Sequence, residues 1–164
     1  MASVYTVTME NQTVVADATL VIVRAATAVT ARASLLEVLR VTVSQQGTAT
    51  NQQLGVILGM KASAFGTYTA ATPAPHAING VASGITGSTS GAAAGAGTDA
   101  SAEGAGTVTT TLTESFSVVN GWLWVPTPEE RILIQPDTAF IVKLRGTPTT
   151  LTGWNATLTF REIS

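Results

Sequence analysis

The chain has 164 residues, enough for one domain with a sizeable core, and only 11% of them are charged. A formal net charge of −2 offers no basic field, so nucleic acid is not an expected partner. With no cysteine, disulfides, thiolate chemistry and cysteine-held zinc are excluded, and no apolar run approaches the roughly 20 residues of a membrane span.

So sparse a charge suits a surface that partners cover. Residues Met1 to Thr6 have neither a basic n-region nor an apolar h-region, so no signal peptide is expected. Threonine is abundant, at 28 residues, and valine is frequent. Both favour a pleated backbone, where a branched Cβ packs well.

Val4 to Met9 alternates with period two and predicts a strand. Ala18 to Arg24 predicts a more fully buried one. Leu35 to Val43 is ambiguous. Ser34-Leu35-Leu36-Glu37 has the form of a helical capping box. Val38, Val41 and Val43 nevertheless run into the turn-like Ser44-Gln45-Gln46-Gly47, and strand is the favoured reading. After the polar loop Gln45 to Gln53 comes a short apolar strand, Gly55 to Met60.

The middle of the chain is unlike its flanks. Ala62 to Thr98 holds no charged residue, and Ala62 to Glu130 holds no lysine or arginine. Of the 23 residues from Gly84 to Gly106, 14 are glycine or alanine and six more are serine or threonine. Thr72-Pro73-Ala74-Pro75 is expected to be extended, and Asn79-Gly80 marks a turn. Gly84 to Gly106 shows no helical or strand period. The expectation is a single domain spanning 1–164 with an extended irregular insertion at about 63–106. So long an irregular segment in a compact domain generally has a use. It is read as a linker, a ligand loop or an arm that orders against another subunit.

Regular alternation returns at Thr107. Val108, Thr110, Leu112, Glu114, Phe116 and Val118 share one face of a long strand. Asn120-Gly121 then predicts a hairpin between Phe116–Val119 and Trp122–Val125. Pro126 and Pro128 stop the second strand. Ile132–Ile134 and Phe140–Leu144 form a further pair through a turn at Pro136-Asp137, and Trp154 to Ile163 is the last strand. Eight or nine strands and little helix predict an all-β fold, a jelly-roll-like antiparallel β-sandwich carrying a long Gly/Ala/Ser-rich loop or arm.

Chemical motifs are weak. Gly95-Ala96-Gly97-Thr98-Asp99-Ala100 fits a loose dinucleotide fingerprint but lacks the following helix that would meet the pyrophosphate. Gly87-Ser88-Thr89-Ser90-Gly91 resembles a nucleophile elbow with threonine at the central position. The single histidine, His76, lies in the Pro-rich stretch, and a triad would have to use it. One histidine and no cysteine argue against a transition-metal site. Asp99 and Glu103 have no calcium-loop spacing, and Glu129 and Glu130 read as an exposed turn. No catalytic residue, cofactor or metal is expected. Trp122 and Trp124 point to one face of their strand and, with Trp154, would make a sugar platform; core or interface packing is the plainer reading.

Three segments resemble one family. They are Thr72 to Gly106, including Gly91-Ala92-Ala93-Ala94-Gly95 and Ala100 to Gly106; Phe116 to Glu129, with Asn-Gly-Trp-Leu-Trp-Val-Pro-Thr-Pro; and Pro148 to Ala156. Together the chain resembles, over about residues 70 to 162, the small β-rich capsid decoration (cement) proteins of tailed bacteriophages. The resemblance implies a structural virion protein on the outer face of the phage head, in the host cytoplasm during assembly. Its partners would be the major capsid protein and further copies of itself, as a homotrimer, with no membrane or nucleic acid. It carries over no named functional residues. From the residues themselves, Gly84, Gly91, Gly95, Gly97, Asp99, Glu103, Trp122 and Trp124 are the expected subunit or capsid contacts. Deleting Gly84 to Gly106 is then expected to leave a folded domain that no longer caps capsids. A head-fibre or adhesin-type module binding glycans through Trp122, Trp124 and Trp154 is the alternative.

Overall fold

The computed structural model describes residues 3–28, 32–47, 50–77 and 80–163. Among the described residues thirteen strands are present: β1 (Val4–Gln12), β2 (Thr19–Arg24), β3 (Leu36–Gln45), β4 (Gln53–Lys61), β5 (Thr67–Ala70), β6 (Ala74–Pro75), β7 (Thr86–Gly87), β8 (Gly95–Ala102), β9 (Val108–Ser117), β10 (Trp122–Trp124), β11 (Leu133–Ile134), β12 (Ala139–Arg145) and β13 (Trp154–Glu162). One sheet has the order β10-β3-β13-β1-β6, with β11 beside β3. The other has the order β5-β8-β2-β12-β4-β9, with the short parallel β7 beside β8. The turn expected at Asn79-Gly80 falls partly on Asn79, outside the described residues.

The topology is that of a rolled-up hairpin. β1 pairs with β13 in the first sheet and β2 with β12 in the second. β3 then pairs with β10 in the first and β4 with β9 in the second. Four concentric pairs alternate between two sheets, which is a jelly roll. Alternation along each strand sends one set of side chains inward. Trp154, Tyr5, Phe140 and Phe160 are fully buried there, with Val7, Leu36, Val41, Val56, Leu58, Val142 and Leu158 around them. The capping-box reading at Ser34 gives way to strand β3. Glu37 serves instead as a nearly buried carboxylate between Arg161 and Arg131.

Two expected hairpins are crossovers. Asn120 N–H and Gly121 N–H both donate to the Ser117 carbonyl, so the turn forms. The strands on either side of it belong to opposite sheets. The pull is long-range: Trp122 and Trp124 lie opposite Val43 and Val41 and close the core at its margin. Likewise Pro136 and Asp137 make a turn, with Asp137 at φ 62° and Thr138 N–H on the Gln135 carbonyl. It joins β11 in the first sheet to β12 in the second.

The largest departure from the sequence reading is β8. Gly95–Ala102 is a strand of the second sheet, paired on one side with β2 and on the other with β5. The insertion leaves the tip of the rolled hairpin, between β4 and β9, and folds back over the outer face of the second sheet. There Phe65, Tyr68 and Ala100 form a small second core with Ile22, Ala139 and Ile141, and the Arg24 guanidinium lies 4.2 Å from the Phe65 ring centroid.

Polar anchors hold its neck. Glu103 accepts from Thr19 N–H at 2.5 Å, Thr19 Oγ1 at 2.7 Å and Lys143 Nζ at 3.0 Å. Lys61, 2% exposed, donates to the carbonyls of Phe65 and Glu103. Burial lowers its pKa, while Glu103 opposes that shift. Glu103→Ala strips Thr19 and Lys143 of their carboxylate acceptor, leaving the backbone carbonyl that Lys61 uses, and is expected to cost about 2 kcal/mol, read by urea unfolding. Glu103→Asp is expected to recover part of that loss.

Candidate functional site

The small residues of the middle segment are used inside the domain. Gly91, Gly95 and Gly97 are buried, and Gly84 is half-buried. A Cβ on Gly95 would meet the Ala92 carbonyl at 2.5 Å and Ser88 Cβ at 2.7 Å. One on Gly97 would meet Tyr68 Cβ at 2.7 Å and the Ser88 carbonyl at 2.8 Å. At Gly91 a Cβ would press on Phe65 Cβ at 2.7 Å, and the Gly91 carbonyl accepts from Arg24 at 3.0 Å. Gly84 N–H donates to Glu162 at 2.8 Å, and Arg32 pairs with the same carboxylate. Side chains are small here because another part of the same chain lies against the backbone. Gly91, Gly95 and Gly97, expected as contacts for a partner, are covered within the fold itself.

The acids follow suit. Glu103 is spent on the neck of the insertion. Asp99 sits at φ 51° where β8 shifts register against β5, between the Thr98 and Ala102 pairings. Burial raises its pKa above the ordinary 3.8. A folded-state pKa above the unfolded one contributes stability below the unfolded value and loses it as pH rises through the folded value. The charge is thus a liability at neutral pH. Asp99→Asn, which also tolerates a left-handed backbone, is expected to gain about 0.5 kcal/mol at neutral pH and nothing in acid below the ordinary aspartate range. Thermal melts at the two pH values check this.

The motif readings also meet the structure. Gly95 to Ala100 runs within β8 rather than turning from a strand into a helix. His76 is exposed and shares a hydrogen bond with Thr6 Oγ1. Among the described residues no three His, Cys, Asp or Glu side chains gather where a metal ion would sit. No helix of the described residues is long and apolar enough to cross a membrane.

The tryptophans divide. Trp154 is fully buried, with Nε1–H on the Thr150 carbonyl at 2.9 Å. Trp122 and Trp124 are half-buried at the sandwich margin. The three do not share an exposed face. What shows outward is the residue between the last two: Leu123 is 62% exposed, with Val119, Val125 and Leu133 exposed nearby in sequence. These aliphatic residues were not singled out in the sequence. For Leu123 the signal lay in the Trp-x-Trp alternation, whose middle residue had to face the other way.

The open sides of the sandwich are its surface features. At one, a groove of about 410 Å³ lies between β9 and the segment after β10, lined by Leu112, Glu114, Trp124, Val125, Glu130 and Ile132. At the other, a polar cleft of about 620 Å³ separates the end of β1 from β5 and β8 and includes Glu10, Gln12, Thr69, Thr72 and Thr98. On the outer face of the first sheet, Thr8, Thr157, Thr42 and Leu123 stand in one cross-strand row over β1, β13, β3 and β10.

No protein-family model matches the chain, and no curated protein matches it. The jelly roll and its surfaces therefore define the class of protein: an all-β sandwich with its small-residue middle built into one sheet.

Proposed function

We propose that the chain is a structural virion protein, a decoration or cement protein that seats on the outer face of a tailed-phage head as a homotrimer and bridges neighbouring major capsid subunits. The observation that carries this reading is the uncharged row of Thr8, Thr157, Thr42 and Leu123 across the outer face of the first sheet. Short, stiff side chains on a pleated surface lose little rotamer freedom when covered. A rigid sandwich with several such contacts binds multivalently, each further contact forming at high effective concentration. Of the segments that resemble phage decoration proteins, Phe116–Glu129 supplies Leu123 at one end of that row.

The experiment is sedimentation of the purified protein with heads of the phage that encodes it. A trimer that co-sediments with mature heads but not with unexpanded precursors supports the reading. Failure to bind heads at any stage overturns it.

A further inference from the structure

Along the β9/β10 side of the sandwich both sheets end in a strand with a free edge. Among the described residues β9 pairs only with β4, and β10 only with β3. Open edges are ordinarily guarded against a further strand by lysine, proline or a bulge. From Leu112 to Ser117, β9 has no proline and no basic residue, and its pairing with Leu58 through Gln53 runs without a register shift. Its one charge, Glu114, leans across the mouth of the sandwich, where it accepts from Trp122 Nε1–H at 2.8 Å.

The groove beside this edge combines apolar and acidic walls: Leu112, Trp124, Val125 and Ile132 with Glu114 and Glu130. No cation pairs with either acid among the described residues. Arg131, next in sequence to Glu130, reaches Glu37 at 3.6 Å instead.

We propose that this edge is a strand-addition site for an extended segment of a partner protein, with lysine or arginine among its groove-facing residues. Main-chain bonds to β9 supply affinity, and every second side chain enters the groove. A long basic side chain lays its stem on Leu112 and Trp124 and carries its charge to Glu114 or Glu130. A second copy of this chain is the poorer occupant. Two antiparallel β9 strands would bring the acids of both copies to one seam, with no lysine or arginine anywhere from Ala62 to Glu130 to separate them. The site stands whether or not the partner is a capsid subunit.

The probe is a short synthetic peptide of alternating threonine and arginine, followed by amide shifts across the whole protein. Two further forms carry N-methyl groups on either the threonine amides or the arginine amides. Their charge is equal, but their hydrogen-bonding edges differ. Binding focused on β9, retained by one methylated form and weakened about tenfold or more in the other, supports strand addition. Replacing both Glu114 and Glu130 with glutamine is expected to weaken the parent peptide several-fold while leaving the protein folded. Equal binding by the two methylated forms, shifts centred away from β9, no binding at all, or a concentration-dependent dimer seamed at β9 overturns it.

Discussion

Replacing Gly84–Gly106 with a short flexible linker is expected to abolish cooperative folding. The sequence alone predicts the opposite, a folded domain stripped of an arm. The reason for the reversal is β8. Its removal turns β2 into an edge and breaks the pairing of Val21 to Arg24 with Thr98 to Gly95. β5 loses the one strand it pairs with among the described residues. Ile22 and Ile141 lose Ala100 from their cover, and Lys61 and Lys143 lose Glu103. A domain is stable by only about 5–15 kcal/mol in total, and the combined loss is of that order. Circular dichroism and a urea titration of the deletion variant check this. A native-like β spectrum with an unshifted midpoint would show the segment to be an appendage.

Gly97→Val is expected to destabilise the domain by about 3 kcal/mol, a melting-temperature loss of roughly 6–12 °C. Gly97 sits between Ile22 on β2 and Ala70 on β5. Its outer side faces Tyr68 Cβ at 2.7 Å, the Ser88 carbonyl at 2.8 Å and the Thr69 carbonyl at 3.2 Å from where a Cβ would stand. Two of those three atoms are backbone and cannot rotate away. Valine suits strands by propensity, so a propensity account predicts a gain at this position; close packing predicts the loss. Ala93→Val, on an exposed loop of the same segment, is the matched control. It is expected to stay within about 0.5 kcal/mol of the parent.

Most of the jelly roll was legible because its strands bury one face. Val4 to Met9, Ala18 to Arg24, Phe140 to Leu144 and Trp154 to Ile163 each carry a side-chain alternation or an apolar run that survives as β1, β2, β12 and β13. Turn chemistry was legible too: Asn120-Gly121 and Pro136-Asp137 both turn the chain. Which strands the turns connect was not, because pairing is decided by distant residues. Trp122 and Trp124 answer to Val43 and Val41, some eighty positions earlier in the chain. β8 was the least legible element. Glycine and alanine carry no side-chain period, and the reason for their smallness lies in Tyr68, Ser88 and Phe65, which approach only after folding.

Three of the expected contacts, Gly91, Gly95 and Gly97, fall on these same small residues, which the fold itself packs against. A charge-free stretch reads as a surface awaiting a partner. Here much of that covering comes from the chain itself, while Leu123 and Val125 stay exposed and the β9 edge stays open among the described residues.

Amide hydrogen exchange on the free protein tests this most directly. If β8 is an interior strand, the amides of Gly95 to Thr98 exchange as slowly as those of Val21 to Arg24, through global unfolding. Exchange of Gly95 to Thr98 at the rate of an open loop, with β2 still protected, would contradict the account.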